Sequence, residues 1–435
     1  MHFIKKLIFQ INQKYNIVWT FRGIFHAITG VFRSLPSNID VLFLCQDVHR
    51  HSMKDGRKYS PLIDSLIDYI NEKNGKLRIA TLAAPFSKDF GQGCYSKVYN
   101  ANNYVLYGII KRFIKIGSLE LLDSINDPLV FEYEKLLKRL NCKIVIGIQP
   151  SVELCLAASR VGIKTFDVQH GLISDVNYYN INKRKKVNQC GWPNFVLCWD
   201  KESVLRLNKL SNNIVDSIII GNPSYLEFSN MSAKKEYLNT VTFKSDNKVY
   251  FLVTLTYHEY GSVFDDVYYN DLGIPQNLVQ IMRSTPDIFW RIRLHPVQRR
   301  FHYKKINNLL KNIFQNQQNV DWDFASNANF KDAIDGCLGH LTVSSASALD
   351  AAILGIKTLF VGSKETVDYD IISSFFQEYI DSRKMKFIDS SNFSYEDIIS
   401  FFKNEDTGFE DKVFSYSESI GLNKFIDNFI YKINY

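Results

Sequence analysis

The sequence predicts an α/β protein of two Rossmann-like halves that face each other across a cleft. Three stretches predict it. Lys164-Thr-Phe-Asp-Val-Gln-His-Gly171 reads as a short buried strand that opens into a loop holding one histidine beside one glycine. Trp290-Arg-Ile-Arg-Leu-His-Pro296 is again a strand that runs straight into a histidine. Gly339-His-Leu-Thr-Val-Ser-Ser-Ala-Ser-Ala-Leu-Asp350 reads as a strand, a Ser-rich turn and an apolar helix. Ligands of open α/β sheets bind outside the carboxyl ends of the strands, so each of these outlets is a candidate contact.

Length and composition agree. At 435 residues the chain exceeds one ordinary core, and two domains follow. Hydrophobic residues at 46% and charged residues at 22% are those of a soluble globular protein. The net charge of +7 is modest but uneven. Residues 1–39 hold no Asp or Glu, yet include Lys5, Lys6, Lys14, Arg22 and Arg33 among aromatic and aliphatic residues. Such a segment suits either an anionic membrane surface or a helix packed on the domain with its basic face in water. No apolar run reaches the roughly 18–20 residues that a spanning helix needs. The start of the chain also lacks the apolar core and cleavage site of a secretory signal. The expected location is therefore cytoplasmic, with peripheral attachment to the inner face of the plasma membrane as its companion. The seven cysteines are scattered and form no C-x-x-C pair or zinc spacing, which predicts free, mostly buried thiols.

Taken in order, Val41–Cys45 is a continuous apolar run, as expected of a strand covered on both faces. Its outlet holds Asp47, His49, Arg50 and His51, candidate acceptor contacts. A helix over 61–70 and a strand over 77–82 follow. Residues 85–140 are less legible, apart from a helical pattern over 120–140. Strand 143–148, helix 150–161 with proline at its start and Gly162 at its end, and strand 164–168 form the clearest β-α-β unit. Asn182-Lys-Arg-Lys-Lys186 is a cationic patch that suits a polyanionic acceptor or plain solvent. Strands are expected at 194–199 and 217–221, and an interdomain linker within 225–246.

The second half opens with a strand over 248–256, whose outlet offers Thr254, Thr256, Tyr257, His258 and Glu259. Helix 274–283, strand 289–294, helix 304–314, strand 339–343, helix 344–354 and a last strand, 357–362, follow. The tail reads as helices that pack back across the domains. The resulting domains are a basic segment 1–39, an acceptor domain 40–225, a nucleotide-donor domain 247–375 and C-terminal helices 376–435.

Ser344, Ser345 and Ser347 fall at a predicted helix start, where N–H groups and hydroxyls can hold phosphate oxygens. Simple capping is the alternative. His295, at a neighbouring outlet, can donate to a phosphate leaving group. Arg291 and Arg293, or Arg299 and Arg300, are candidates to lie near it. His170 suits general-base work on a hydroxyl, with Gly171 allowing an unusual backbone angle and Asp175 a candidate to orient the ring. There is no G-x-x-x-x-G-K-[ST] and no tight G-x-G-x-x-G. Two D-x-D triplets, Asp321-Trp-Asp323 and Asp368-Tyr-Asp370, do not follow long apolar strands. No metal ligand and no obligatory metal are expected.

A Gln-His-Gly loop, a Leu-His-Pro strand end and a Ser-Ser turn, in that order, resemble the bacterial capsule and teichoic-acid glycosyltransferases of the GT-B fold. The likeness covers residues 140–365. CDP-glycerol glycerophosphotransferases place a histidine base in a Trp-His-Gly loop and grip nucleotide phosphates with a His-Pro motif. Bacterial sialyl- and polysialyltransferases put an acidic residue before the glycine and bind a cytidine nucleotide with His-Pro and Ser-Ser motifs. Capsular Kdo transferases look similar. The resemblance implies that His170 is the base, His295 a phosphate ligand, and Ser344 and Ser345 the phosphate-binding turn. Here Gln169 stands where the glycerophosphotransferases have Trp, and His170 where sialyltransferases have Asp or Glu.

The expectation is an inverting, metal-independent GT-B glycosyltransferase of bacterial surface glycan synthesis, in capsule or lipopolysaccharide. Its donor is a nucleotide-sugar, CMP- or CDP-linked, and its acceptor a glycan or lipid-linked glycan. No cofactor and no nucleic-acid partner is expected. His295, Ser344, Ser345, Thr254 and Thr256 are the nucleotide or phosphate contacts; Gln169, Asp47, His49, Arg50 and Glu259 are candidate acceptor or cleft contacts. The rivals are a UDP- or GDP-sugar donor, a nucleotide-sugar epimerase of the same fold, and a structural subunit of an assembly complex.

Overall fold

Short apolar runs set the architecture. Val41–Cys45 buries nearly every side chain because helices cover both faces of the sheet, the condition under which parallel strands become continuous apolar runs. A computed structural model describes residues 35–50, 52–85, 93–116, 126–173, 184, 189–228, 249–256, 268–269, 272–362, 369, 372–373, 375–377, 380, 383–403 and 417–434. The chain forms two compact units. One comprises Met1–Glu227 with Tyr416–Tyr435, the other Phe228–Ser415.

The first unit contains β1 (Val41–Cys45), β2 (Ser52–Lys54), β3 (Arg57–Tyr59), β4 (Ile79–Ala83), β5 (Val98–Tyr99), β6 (Ile144–Gly147), β7 (Lys164–Val168), β8 (Phe195–Cys198) and β9 (Asp216–Ile219). Seven of them make a parallel sheet in the order β5-β4-β1-β6-β7-β8-β9, while β2 and β3 form a small antiparallel ribbon. The chain winds outward from β1 to β5 and then restarts on the other side of β1 with β6. The β1/β6 gap is therefore a topological switch point. Helices Ile63–Lys73, Asn102–Ile116, Pro128–Leu140, Val152–Arg160 and Lys201–Ser211 supply the covering layers. Their starts are written locally. Asp127 accepts from Leu129 N (2.8 Å), Ser151 from Leu154 N (3.2 Å) and Asp200 from Ser203 N (2.7 Å).

The chain returns to this unit at its end. Helix Ser417–Phe425 lies on β9, where a Cβ at Gly421 would overlap the carbonyl oxygen of Ile219. Phe425 and Phe429 then meet the Phe166 ring edge to face, each with centroids 5.3 Å away. Residues 417–434 thus pack on the first unit, where the expectation had the tail cross both domains. The tail is not all helix, however.

The second unit contains β10 (Val249–Thr254), β11 (Tyr268–Tyr269), β12 (Ile274–Pro275), β13 (Ile288–Arg293), β14 (Val320–Asp321), β15 (Cys337–Thr342), β16 (Thr358–Gly362) and β17 (Met385–Asp389). Six strands form a parallel sheet in the order β14-β13-β10-β15-β16-β17, and β11 pairs β12 antiparallel. This is the Rossmann winding, with the switch point between β10 and β15. Its core stacks Phe251 on Trp290 and packs Phe402, from helix Tyr395–Lys403, against Phe251. Gly339 makes room for Phe402, since a Cβ there would enter its ring.

Three local expectations change. The helix expected from Ser344 begins at Ser347 and ends at Ile353. The strand 357–362 is not the last, because β17 extends the sheet beyond it. The illegible region holds helix Asn102–Ile116. Residues 1–34 and 229–248, which include most of the basic segment and of the expected linker, lie outside the described residues. Among the described residues no helix is long and apolar enough to cross a membrane.

Candidate functional site

The outlets of β10 and β15 flank the second switch point, where α/β sheets bind their ligands. The residues there are mostly hydroxyl-bearing. Thr342 Oγ1 donates to the Thr254 carbonyl at 2.9 Å and accepts from Ser345 N at 3.3 Å. Thr256 Oγ1 accepts from Ser344 N at 3.3 Å. Ser345 Oγ accepts from both Ser347 N (3.2 Å) and Ser347 Oγ (2.8 Å). The two strand ends are thus laced together through side-chain oxygens.

This lacing corrects two expectations. The amide N–H groups of Ser344, Ser345 and Ser347 are engaged by Thr256, Thr342 and Ser345, so the turn offers hydroxyls rather than a row of open amides. Thr254 is buried, with its hydroxyl 2.9 Å from His340 Nε2 and 2.8 Å from Ser347 Oγ. It supports the turn from within instead of reaching a ligand. Half-buried Ser344 and Ser345 stand at the outlet.

His340, on β15, lies behind this turn and is no part of the predicted site. It is fully buried, with Nδ1 3.0 Å from Thr358 Oγ1 and Nε2 against Thr254 and Ser347. Burial pushes its pKa down to about 3, so the ring is neutral at physiological pH. Its signal in the sequence was a histidine inside an otherwise apolar strand, two residues before a threonine.

At the next outlet, His295 caps helix Pro296–Phe301. Its Nδ1 accepts from Val297 N (3.3 Å), and Gln298 Oε1 accepts from His295 N (2.9 Å). In a neutral imidazole with Nδ1 accepting, the proton sits on Nε2, which makes His295 a hydrogen-bond donor. Pro296, at the first helical position, fixes the chain beyond it.

The strand arginines point elsewhere. Arg291 donates to the carbonyls of Ala333 (2.9 Å) and Asp335 (2.6 Å), and Arg293 to Ala328 (2.8 Å). Burial lowers the Arg293 pKa to about 10. Both hold the segment 325–335 to the sheet and are not leaving-group ligands. Burial also lowers the pKa of Arg299, in the helix after His295. The Asp321 carboxylate accepts from the N–H groups of Asp323, Phe324 and Ala325, each at 3.2 Å, and so caps the next helix. Among the described residues no cluster of three metal-ligating side chains occurs.

In the first unit, β7 delivers His170 and β1 delivers His49. Their rings meet edge to face, with centroids 5.0 Å apart and planes at 76°. Gln169 fixes this loop. It is fully buried, its Nε2 donates to Gly171 O (3.0 Å) and Ser203 Oγ (2.9 Å), and its Oε1 accepts from Trp199 N (2.7 Å). The Trp199 indole N–H bonds the Gln169 carbonyl at 3.0 Å. Gln169 is therefore a clamp on the loop and not an acceptor contact. Gly171 does not take a positive φ, contrary to expectation; a Cβ there would meet open space.

Arg50 is likewise internal. Its guanidinium is buried against Asp64 (2.7 Å) and reaches Ser96 Oγ (3.2 Å), which removes it from the acceptor contacts. Of the cationic patch only Arg184 is described. It is buried and donates to the Pro150 carbonyl at 2.6 Å, so it is not an acceptor contact either. Asp47 begins the turn Asp47–His49, but its side chain lies outside the described residues. So do His51, Asp175, Tyr257, His258, Glu259, Asp368 and Asp370.

Neither a protein-family model nor a curated protein matches the sequence. Solved structures match by fold. UDP-GlcNAc 2-epimerase from Neisseria meningitidis, bound to UDP-GlcNAc, gives a TM-score of 0.52 at 12% identity, over 90% of this chain and 100% of its own. The Methanocaldococcus jannaschii UDP-GlcNAc 2-epimerase in complex with UDP-GlcNAc and UDP gives 0.50 at 13%, over 90% of this chain and 100% of its own. The wall teichoic acid polymerase TagF gives 0.48 at 13%, over 99% and 93%, too loose a match to weigh. At such identities the likeness is one of fold alone. With two parallel α/β units of Rossmann type, the chain has the GT-B fold.

Proposed function

We propose that the chain is an inverting, metal-independent glycosyltransferase that uses a nucleotide-sugar, CMP- or CDP-linked, in the synthesis of a bacterial surface glycan. The observation that carries this reading is the laced switch point of the second unit, with Ser344 and Ser345 at its outlet and His295, whose Nδ1 accepts from Val297 N, at the next strand end. Hydroxyls and an imidazole N–H are suited to the oxygens of a nucleotide phosphate. His170 takes the proton of the acceptor hydroxyl. The new bond joins that oxygen to the anomeric carbon as the bond from this carbon to the phosphate oxygen breaks. His295, Ser344 and Ser345 stabilise the negative charge that the leaving nucleotide gains, a term that commonly dominates catalysis. Gln169 keeps His170 in place through its bonds to Gly171, Ser203 and Trp199.

Thermal shift with CMP, CDP, UDP, GDP and ADP tests the site, because a ligand that binds only the native state raises Tm by mass action. A rise with a cytidine nucleotide that His295→Ala abolishes supports the reading. A rise with UDP or GDP replaces the donor class. No rise with any of them overturns the nucleotide site and favours a structural subunit.

A second reading is a nucleotide-sugar epimerase. Two observations favour it: the UDP-GlcNAc 2-epimerases that share the fold, and the pairing of His49 with His170, two imidazoles in contact that could serve as acid and base. Interconversion of free UDP-sugars without an acceptor would establish it. Nucleotide release that requires an acceptor would establish transfer.

A further inference from the structure

The polar ladder behind Ser345 has a single consistent direction. Ser345 Oγ accepts from Ser347 N and from the Ser347 hydroxyl. With its one proton given to Ser345, the Ser347 hydroxyl is left to accept at its 2.8 Å contact with Thr254 Oγ1. By the same count Thr254, with its proton on Ser347, is left to accept at its 2.9 Å contact with His340 Nε2, which selects the Nε2-protonated tautomer. A neutral imidazole carries one proton, so with Nε2 donating, Nδ1 accepts from Thr358 Oγ1 at 3.0 Å. Each hydroxyl from Thr254 to Ser345 is then used as an acceptor from the group behind it and a donor to the group ahead. The last proton in the row, on Ser345 Oγ, points onward to whatever occupies the outlet.

We propose that His340 is a positioning residue that makes Ser345 an obligate hydrogen-bond donor, so that the β10/β15 outlet selects an anionic phosphate oxygen. The ligand assignment rests on the function proposed above; the direction of the ladder follows from the Ser347-to-Ser345 bond and one proton per hydroxyl. His340 touches no ligand, being buried at the centre of the sheet. It acts through three hydroxyls on three different elements: Thr358 on β16, Thr254 on β10 and Ser347 at the helix start. Chains of aligned hydrogen bonds polarise one another in a low-dielectric interior, so the donor at the end is stronger than a lone serine. A ring of the opposite tautomer would reverse the row and leave the Ser345 oxygen as an acceptor, which repels a phosphate.

The experiment has two arms. In the unliganded protein, ¹⁵N NMR of labelled histidine, with His340 assigned by its loss in His340→Gln, is expected to show Nε2 protonated and Nδ1 bare. The opposite tautomer overturns the proposal whatever the protein binds. In the second arm, calorimetry measures the Kd of CMP, CDP and UDP for the wild type and for His340→Leu, His340→Gln, Ser345→Ala and the His340→Leu/Ser345→Ala double variant, each first checked for a cooperative melt. For the nucleotide that binds, His340→Leu should weaken binding about tenfold or more, as should Ser345→Ala, the cost of one unmet donor. The double variant should lose no more than Ser345→Ala alone, since the two act as one unit. His340→Gln, whose amide still donates towards Thr254, should recover most of the affinity. Unchanged binding in His340→Leu alongside lost binding in Ser345→Ala overturns the relay alone. A wild type that binds none of the three overturns the proposed function, and the role of Ser345 with it.

Discussion

The rings of His49 and His170 touch edge to face, 5.0 Å between centroids, although 121 residues separate them in the chain. They come from the outlets of β1 and β7, and β6 lies between those two strands. In the proposed reaction His170 is the base and His49 braces its ring. His170→Ala should lower kcat by about 10²–10⁴, the usual worth of a positioned general base, while nucleotide Kd stays within about twofold. Steady-state kinetics beside calorimetry checks this. An equal loss of turnover and binding removes His170 from the role of base.

His340 ties stability to pH. Its folded pKa of about 3 lies below the ordinary 6.5, so between these values the unfolded chain binds a proton that the folded chain refuses. Stability from this residue is complete above pH 6.5 and is lost as pH falls towards 3. The slope is about 1.4 kcal/mol per pH unit for one proton. Urea unfolding of the wild type at intervals from pH 7 to pH 5, against His340→Gln, should show the variant lacking that part of the slope.

Arg112 anchors the first unit. It is buried with Asp127 (2.7 Å) and Glu153 (3.2 Å), and Asp127 also caps the helix Pro128–Leu140. Removing one member leaves an uncompensated charge in the interior. Arg112→Met should cost about 3–5 kcal/mol in chemical denaturation. The triple change Arg112→Met, Asp127→Asn, Glu153→Gln should recover part of this loss, because the charges go together.

Gly421 permits the C-terminal helix to lie on β9. Any Cβ there meets the Ile219 carbonyl oxygen. Gly421→Ala should lower stability by about 1–3 kcal/mol through overpacking. Differential scanning calorimetry checks this, and hydrogen exchange should rise in residues 417–430 before the rest.

None of the seven cysteines forms a disulfide, and only Cys190 is exposed. Burial pushes the Cys142 and Cys337 thiols up to about 12. One thiol should react promptly with a disulfide reagent in the native protein, and the other six only on unfolding. Cys190→Ser should abolish the prompt phase.

The strands were legible because their neighbours leave no choice. Lys164–Val168 and Val41–Cys45 are apolar runs that only a two-sided sheet can hide. β17 was hidden because Met385-Lys-Phe-Ile-Asp389 is short, buries only Met385 fully and falls within a tail that reads as helices. Helix Asn102–Ile116 was obscured by Gly108, which reads as a break but packs close to Leu129. Within the site, periodicity placed His170, His295 and Ser344 at outlets without telling where a side chain spends its hydrogen bonds. Arg50, Gln169 and Thr254 sit among the predicted contacts, yet each is consumed by a partner distant in sequence: Asp64, Trp199 and His340. A polar residue near an outlet looks the same in sequence whether it faces a ligand or the protein.

The first unit's return of residues 417–434 to β9 has a consequence for synthesis. The ribosome delivers the β-sheet of that unit early, but the helix that carries Phe425 comes only after the whole second unit. Until then Phe166 and Phe195 lack their aromatic cover. The second unit, continuous in sequence, can close while the first is still waiting. A chain truncated near residue 415 would thus hold a complete second unit and an incomplete first one, with an apolar strand surface as the natural target for a chaperone.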